Sequence, residues 1–286
     1  GSIQGTASDA AVSVLVAARA RARATGAPRD GEGVVYASSQ AHSSIVKAAM
    51  VTGVAAGPED RVHARIIEVD GQGAVRPEAL AGALREDLAS GRVPLLVAAT
   101  IGTTGTTAID PLARIAEVLG EIDAARRPWL HVDAAHAGAA CVCPEYQGWL
   151  AGIERADSIC FNPHKWLLTN FDCDCLWVRE RRWLVQGMSI TPEYLRNAGT
   201  DAGVVDYRDW HVPLGRRFRS LKLWLVLRHY GLEGLRAYIR GHMELARGFE
   251  AAMRQEADFE VWGTRTMNLV CVHVRPRAGE APAAVR

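Results

Sequence analysis

Residues 162–166 read Asn162-Pro163-His164-Lys165-Trp166, directly after the apolar run 158–161, and residues 131–135 read His131-Val132-Asp133-Ala134-Ala135 about one α/β unit earlier. A lysine that attacks an aldehyde needs a neutral amine, and burial beside Trp166, Leu167 and Leu168 is the setting expected to supply one. An aspartate ending a buried strand can keep a pyridine nitrogen protonated and so make the ring an electron sink. Each residue alone has a plainer reading: a strand-end lysine is commonly a solvated charge, and Asp133 could be a helix N-cap. Together they are the minimum equipment of a pyridoxal phosphate (PLP) site.

Working outward, strands and helices alternate. Residues 8–25 read as a helix with Ser8 as N-cap and Gly26 as stop, and 34–38 as a buried strand. Then follow helix 43–52, strand 64–69, a helix from Pro77 to about residue 90, strand 94–100 and a helix capped by Asp110 and opened by Pro111. Strands 129–133, 158–162 and 173–179 complete the run. This order predicts an α/β fold with a mostly parallel sheet covered on both faces. Beyond Pro213 the character changes to two helices, 216–230 and 232–255, broken at Gly231, and two short strands, 259–262 and 268–274. The expected division is a large domain over 1–230, and a linking helix with the start of a small C-terminal domain over 231–286.

The 286 residues carry 33 basic and 32 acidic side chains, a net charge of +1, so no global field favours nucleic acid or an anionic membrane. No apolar run is long enough to span a bilayer, and residues 1–6 lack the pattern of a secretory leader, so a soluble cytoplasmic protein is expected. Cys141 with Cys143 and Cys173 with Cys175 are too closely spaced for a usual zinc site, and no metal is expected. A metal hydrolase built on His131, Asp133, His136 and His164 is the least favoured rival reading, and would require inactivation by chelators with indifference to PLP.

Ligands of open α/β sheets collect at the carboxyl ends of the strands. Gly5, Thr6, Ala7 and Ser8 begin the first helix, where backbone N–H groups and the Ser8 hydroxyl could hold a phosphate, although a serine cap after glycine is common. The stretch 102–107, GTTGTT, fits neither nucleotide-loop spacing and reads as a hydroxyl-rich turn. His42 follows a strand and either stacks on a flat cofactor or is a hydrogen-bonded loop histidine.

The ordered segments GSIQGTAS at Gly1, SSQAHSS at Ser38, ATIGTT at Ala99, WLHVDAAHAG at Trp129, FNPHKWLLTNFDC at Phe161 and PLGRRFRSLKLW at Pro213 cover nearly the whole chain. In them the chain resembles the group II PLP-dependent decarboxylases, and among these the aromatic-L-amino-acid decarboxylases of the aspartate aminotransferase-like fold-type I. The resemblance implies that Lys165 bonds the cofactor aldehyde, Asp133 pairs with its ring nitrogen and His42 stacks on the ring. It places Ala7, Ser8 and Asn162 at the phosphate, Thr104 and Ala135 along the ring, and His164 among the cofactor contacts. Tyr194, otherwise an ordinary turn aromatic, matches a mobile-loop tyrosine that protonates the substrate carbon. Gly215 matches the glycine typical of enzymes for aromatic substrates, and His136 stands where the family often has tyrosine.

The implied reaction is decarboxylation of an aromatic L-amino acid (tryptophan, DOPA, tyrosine or phenylalanine) to its amine and CO2 by a homodimer. Aldehyde formation or decarboxylation of an acidic amino acid on the same scaffold are the alternatives, as is a catalytically silent fragment that binds PLP or a partner chain. The family's proteins extend before Gly1 and after Arg286, with an N-terminal part that wraps the partner subunit.

Overall fold

The computed structural model describes residues 1–26, 32–190 and 205–275. The strands are β1 (Ser2–Gln4), β2 (Gly33–Ser38), β3 (Ala64–Ile67), β4 (Val93–Thr100), β5 (Trp129–Asp133), β6 (Ser158–Phe161) and β7 (Asp174–Val178), in the sheet order β1-β7-β6-β5-β4-β2-β3. Only β7 runs against the rest, because both its neighbours pair with it antiparallel. The chain passes from β2 outward to its neighbour β3 and from β4 outward to its neighbour β5, so the strand order reverses between the adjacent strands β2 and β4.

Successive residues point to opposite faces, and the two cores follow that alternation. Val34, Tyr36, Val97, Ala99, Leu130 and Val132 face α3 (Pro77–Ala89), α4 (Leu112–Gly120) and the long helix Arg219–Met253, through Leu80, Leu84, Ile115, Leu119 and Ile239. Val35, Ala37, Leu96, Ala98 and Trp129 face α1 (Ala7–Ala24), α2 (Ser44–Val51) and the helix Arg182–Met188. Both faces are apolar because both are covered, the usual condition of a parallel sheet. The alanines of α1 let its backbone lie close on the sheet, while each buried Leu or Val contributes about 1.5–3 kcal/mol.

Several boundaries depart from expectation. Helix α1 begins one residue before Ser8, with Thr6 as N-cap in a capping box: the Thr6 hydroxyl accepts from the Asp9 N–H, and Asp9 Oδ2 accepts from the Thr6 N–H at 2.9 Å. Strand β1 went unnoticed, as three residues carry too little periodicity. Residues 137–155, without an expected element, form three short 3₁₀ segments, Ala137–Val142, Pro144–Leu150 and Ile153–Arg155. Asp110 does not cap α4; its carboxylate accepts the N–H groups of Val75 and Thr100, each at 2.7 Å. The break at Gly231 is present, with φ 62° and ψ 178° inside the run Arg219–Met253. A separate antiparallel pair, β8 (Phe259–Trp262) and β9 (Cys271–Val274), follows. No helix among the described residues is long and apolar enough to cross a membrane.

Candidate active site

Three strand ends and one helix start converge on a cavity of about 480 Å³. β4 delivers Thr100 and the following turn, β5 delivers Asp133, β6 delivers Asn162 and then Lys165 on the short helix α5 (Pro163–Trp166), and α1 offers Thr6, Ala7 and Ser8. Pro163 suits the first turn of α5, and Asn162 is extended as residues before proline tend to be.

His42, Thr104, Ala135, His136 and His164 also border this cavity, so the expected cofactor set comes together in one place. Gly215 does not: it is exposed, with open space where a Cβ would stand, and it lies away from the cavity in the single chain. Tyr194 lies outside the described residues. Lys165 also differs from expectation. Its side chain opens into the cavity, and the burial expected around it belongs to its neighbours Trp166 and Leu167, at 2% and 3% exposure.

Asp133 is buried, and its Oδ1 accepts the Ala135 N–H at 3.0 Å. Beneath it, Ser158 Oγ accepts the Trp129 indole N–H at 2.7 Å and stands 2.8 Å from His131 Nδ1. Burial holds the His131 ring down at about 4, so it is neutral beside Asp133 at physiological pH. His164 Nδ1 accepts the Cys173 N–H at 2.8 Å, and burial lowers its pKa as well. His42 sits at the mouth, with Nδ1 2.9 Å from Ser44 Oγ and accepting the Ser44 N–H at 3.2 Å. It is therefore a hydrogen-bonded loop histidine that also faces the cavity.

His136 stacks on Trp166 with ring centroids 4.7 Å apart and planes 1° from parallel, and its Nε2 lies 2.8 Å from Asn268 Oδ1. Desolvation lowers its pKa, against the Asn268 hydrogen bond, and so favours the neutral ring. Asn268 and Leu269 border the cavity from the segment after β8. That segment is tied to the 102–107 turn by Thr266, whose hydroxyl donates to the Thr107 carbonyl at 2.6 Å and meets the Thr107 hydroxyl at 2.8 Å. Thr107 has φ 55°, a left-handed conformation costly for a β-branched residue and held by these contacts. Sequence reasoning missed Thr100, Phe171, Asn268 and Leu269 as cavity residues. Only Thr100 carried a signal, as the last residue of a strand.

These residues fit PLP on two observations. Asn162 Oδ1 and Thr100 Oγ1 are buried at the cavity with no hydrogen-bond partner among the described residues, at a cost of about 1–3 kcal/mol each unless a ligand meets them. The first-turn amides of α1 have no intrahelical acceptor, which makes that end a phosphate cradle, and an amine and a carboxylate stand at the opposite strand ends.

Residues 1–275 match the model of the pyridoxal-dependent decarboxylase conserved domain. The chain is 48% identical over 278 residues to tryptophan decarboxylase 2 of Oryza sativa subsp. japonica, covering 96% of this chain and 54% of that protein. It is 47% identical over 280 residues to a phenylacetaldehyde synthase of Arabidopsis thaliana, covering 96% of this chain and 55% of that protein. A crystal structure of Oryza sativa TDC with PLP and tryptamine superposes with TM-score 0.89 at 42% identity, over 99% of this chain and 57% of that one. The chain spans about half the length of the curated relatives it matches. With all its described residues inside the matched region and the fold-type I α/β architecture in place, the chain belongs to the pyridoxal-dependent decarboxylase family.

Proposed function

We propose that the chain is the cofactor-binding part of a PLP-dependent carboxy-lyase that converts an aromatic L-amino acid to its amine and CO2. The observation that carries this reading is the convergence of Lys165, Asp133 and the α1 N-terminus on one cavity. Bound there, PLP supplies an aldehyde for the substrate amine and a protonated ring that accepts the electron pair left when CO2 departs. Lys165 is the amine that holds the aldehyde. Asp133 keeps the proton on the ring nitrogen. The amides of Ala7 and Ser8, with Asn162, hold the phosphate, and His42 covers the ring at the mouth while Thr104, Ala135 and His164 confine it. Tyr194 is the proposed donor of a proton to the substrate α-carbon. His136, fixed between Trp166 and Asn268, is the proposed determinant among aromatic side chains.

The rice relative named tryptophan decarboxylase 2 supports an aromatic substrate. The relative named phenylacetaldehyde synthase supports a second reading, oxidative formation of an aldehyde. Tyr194, as the proposed donor of a proton to the α-carbon, favours the amine. A homodimer is supported by the apolar side chains Leu221, Trp224, Leu225, Tyr230 and Leu232, each more than 40% exposed around the break at Gly231. The same break supports a boundary at 230/231 between the cofactor-binding domain and a small domain begun by β8 and β9. Six free cysteines suit a reducing cytoplasm.

The test is the chain with added PLP and an equimolar mixture of L-amino acids, with amines and aldehydes read by mass spectrometry and Lys165→Ala as control. An aromatic amine that vanishes in the control is the expected result. An aldehyde in its place selects the second reading, and product from the lysine variant refutes both.

A further inference from the structure

On the α1 face of the sheet, the register sets Asp133, Cys160 and Leu176 side by side across β5, β6 and β7. Asp174, two residues before Leu176, shares that face. α1 seals the layer with small side chains, among them Ala10, Ser13, Val14 and Ala17. Asp174 is fully buried, and neither of its carboxyl oxygens meets a hydrogen-bond partner among the described residues. The ionisable groups facing it are Asp133 on β5, Cys160 on β6, Cys173 beside it on its own chain segment and Asp9 in the first turn of α1. β1 opposes it with uncharged Gln4. Only the weakly donating Cys160 thiol favours an anion there and no counter-ion faces it, so burial first and the neighbouring acids second push its pKa well above the usual carboxylate range. Asp133 differs, since it accepts the Ala135 N–H and borders the cavity.

We propose that Asp174 is a neutral carboxylic acid that acts through Asp133, the two acids on either side of Cys160 holding one proton and one negative charge between them, with the charge on Asp133. Two acids held in unlike environments, one sealed and one at the cavity, take different roles. The bearing on catalysis rests on the cofactor reading: a single buried anion then serves the ring nitrogen, and Asp174 is a positioning residue rather than a catalytic one.

Infrared difference spectra of the chain against Asp174→Asn are expected to show a protonated carboxyl band in the wild type that the variant lacks. A wild type without that band overturns the proposal. Thermal unfolding from about pH 5 to about pH 9 gives a second readout, because a carboxyl with a raised folded pKa loses stability as pH rises. Asp174→Asn is expected to gain over the wild type with increasing pH, reaching about 3 °C or more at the alkaline end. A variant that melts lower at every pH means a paired carboxylate and overturns it. In an Asp133→Asn background the gain is expected to shrink, since the like charge is gone; an undiminished gain overturns the link to Asp133. Asp174→Ser gives the same readings if the Asn variant does not fold. Fluorescence titration with PLP separates the two claims: if no form binds it while the band and the coupled gain persist, the cofactor reading fails and the proton assignment stands.

Discussion

Asp110→Ala probes how the cavity's β4 edge is held. Asp110 is 1% exposed, and its two oxygens accept the Val75 and Thr100 N–H groups at 2.7 Å each, clamping the end of β4 to the segment entering α3. Removing the carboxylate orphans two buried amides at about 1–3 kcal/mol each, a gross loss of about 2–6 kcal/mol. The same carboxylate carries an opposing cost. Burial raises it from an ordinary 3.8 to about 6, against the two amides that favour the anion. A raised folded pKa means stability that is fully present below the unfolded pKa and lost as pH rises through the folded one. Between about pH 4 and about pH 6 the wild type therefore loses about 3 kcal/mol that the alanine variant does not. The variant's deficit should be greatest near pH 4 and shrink toward pH 7, with PLP affinity falling at both, because Thr100, Gly102, Thr103 and Thr104 line the cavity. Chemical denaturation of both proteins at several pH values, with a fluorescence titration of PLP, measures this. A deficit that grows with pH would refute the reasoning, since it would mean that the amides stabilise the anion more than burial penalises it.

Lys165→Ala should abolish amine formation yet leave the unfolding midpoint nearly unchanged, within about 0.5 kcal/mol, because the side chain opens into the cavity and packs against no core. Loss of folding in a denaturation series would contradict that placement. Gly138→Ala should destabilise by about 1–3 kcal/mol, since its Cβ would stand 2.5 Å from Phe161 Cβ and 3.3 Å from Ala134 Cβ; a midpoint equal to wild type would show that the 3₁₀ segment yields. His136→Ala removes the stack on Trp166 and the contact with Asn268, so the ratio of kcat/KM between tryptophan and tyrosine should change at least several-fold, while the stack itself contributes only about 0.5–1.5 kcal/mol of stability. An unchanged ratio in a competition assay would remove His136 from the substrate pocket.

The parts of the site legible in the sequence are those fixed by strand ends. Asp133 ends β5, Asn162 follows β6, and proline at the start of α5 sets Lys165 just beyond. Period-2 burial and the glycine break are local, so the α/β order and the break at Gly231 could be read directly. What was lost is tertiary. Asn268 reaches His136 across 132 residues of chain, and no pattern near either residue announces the other. Asp110 has the composition of a helix cap, but two buried amides claim its carboxylate first. Lys165 has apolar neighbours in sequence, yet those neighbours turn into the core and leave the amine facing the cavity.

The two sides of the cavity are built differently, and this bears on which side sets specificity. The Asp133 side rests on the sheet: its carboxylate, the neutral His131 beneath it and the sealed Asp174 layer are all held by paired strands packed under α1. The His136 side is assembled from separate parts. Trp166, on which His136 stacks, donates its indole N–H to His242 Nδ1 on the long helix at 3.1 Å, and Asn268 comes from beyond that helix. A substitution on the long helix can thus shift His136 through Trp166 without touching Asp133, which sits on β5. On the proposed reading, chemistry common to many amino acids falls to the first side, where geometry is over-determined. On the proposed reading, discrimination among ring sizes falls to the second, where a small displacement of one stacked ring alters the space available while Asp133 stays in place.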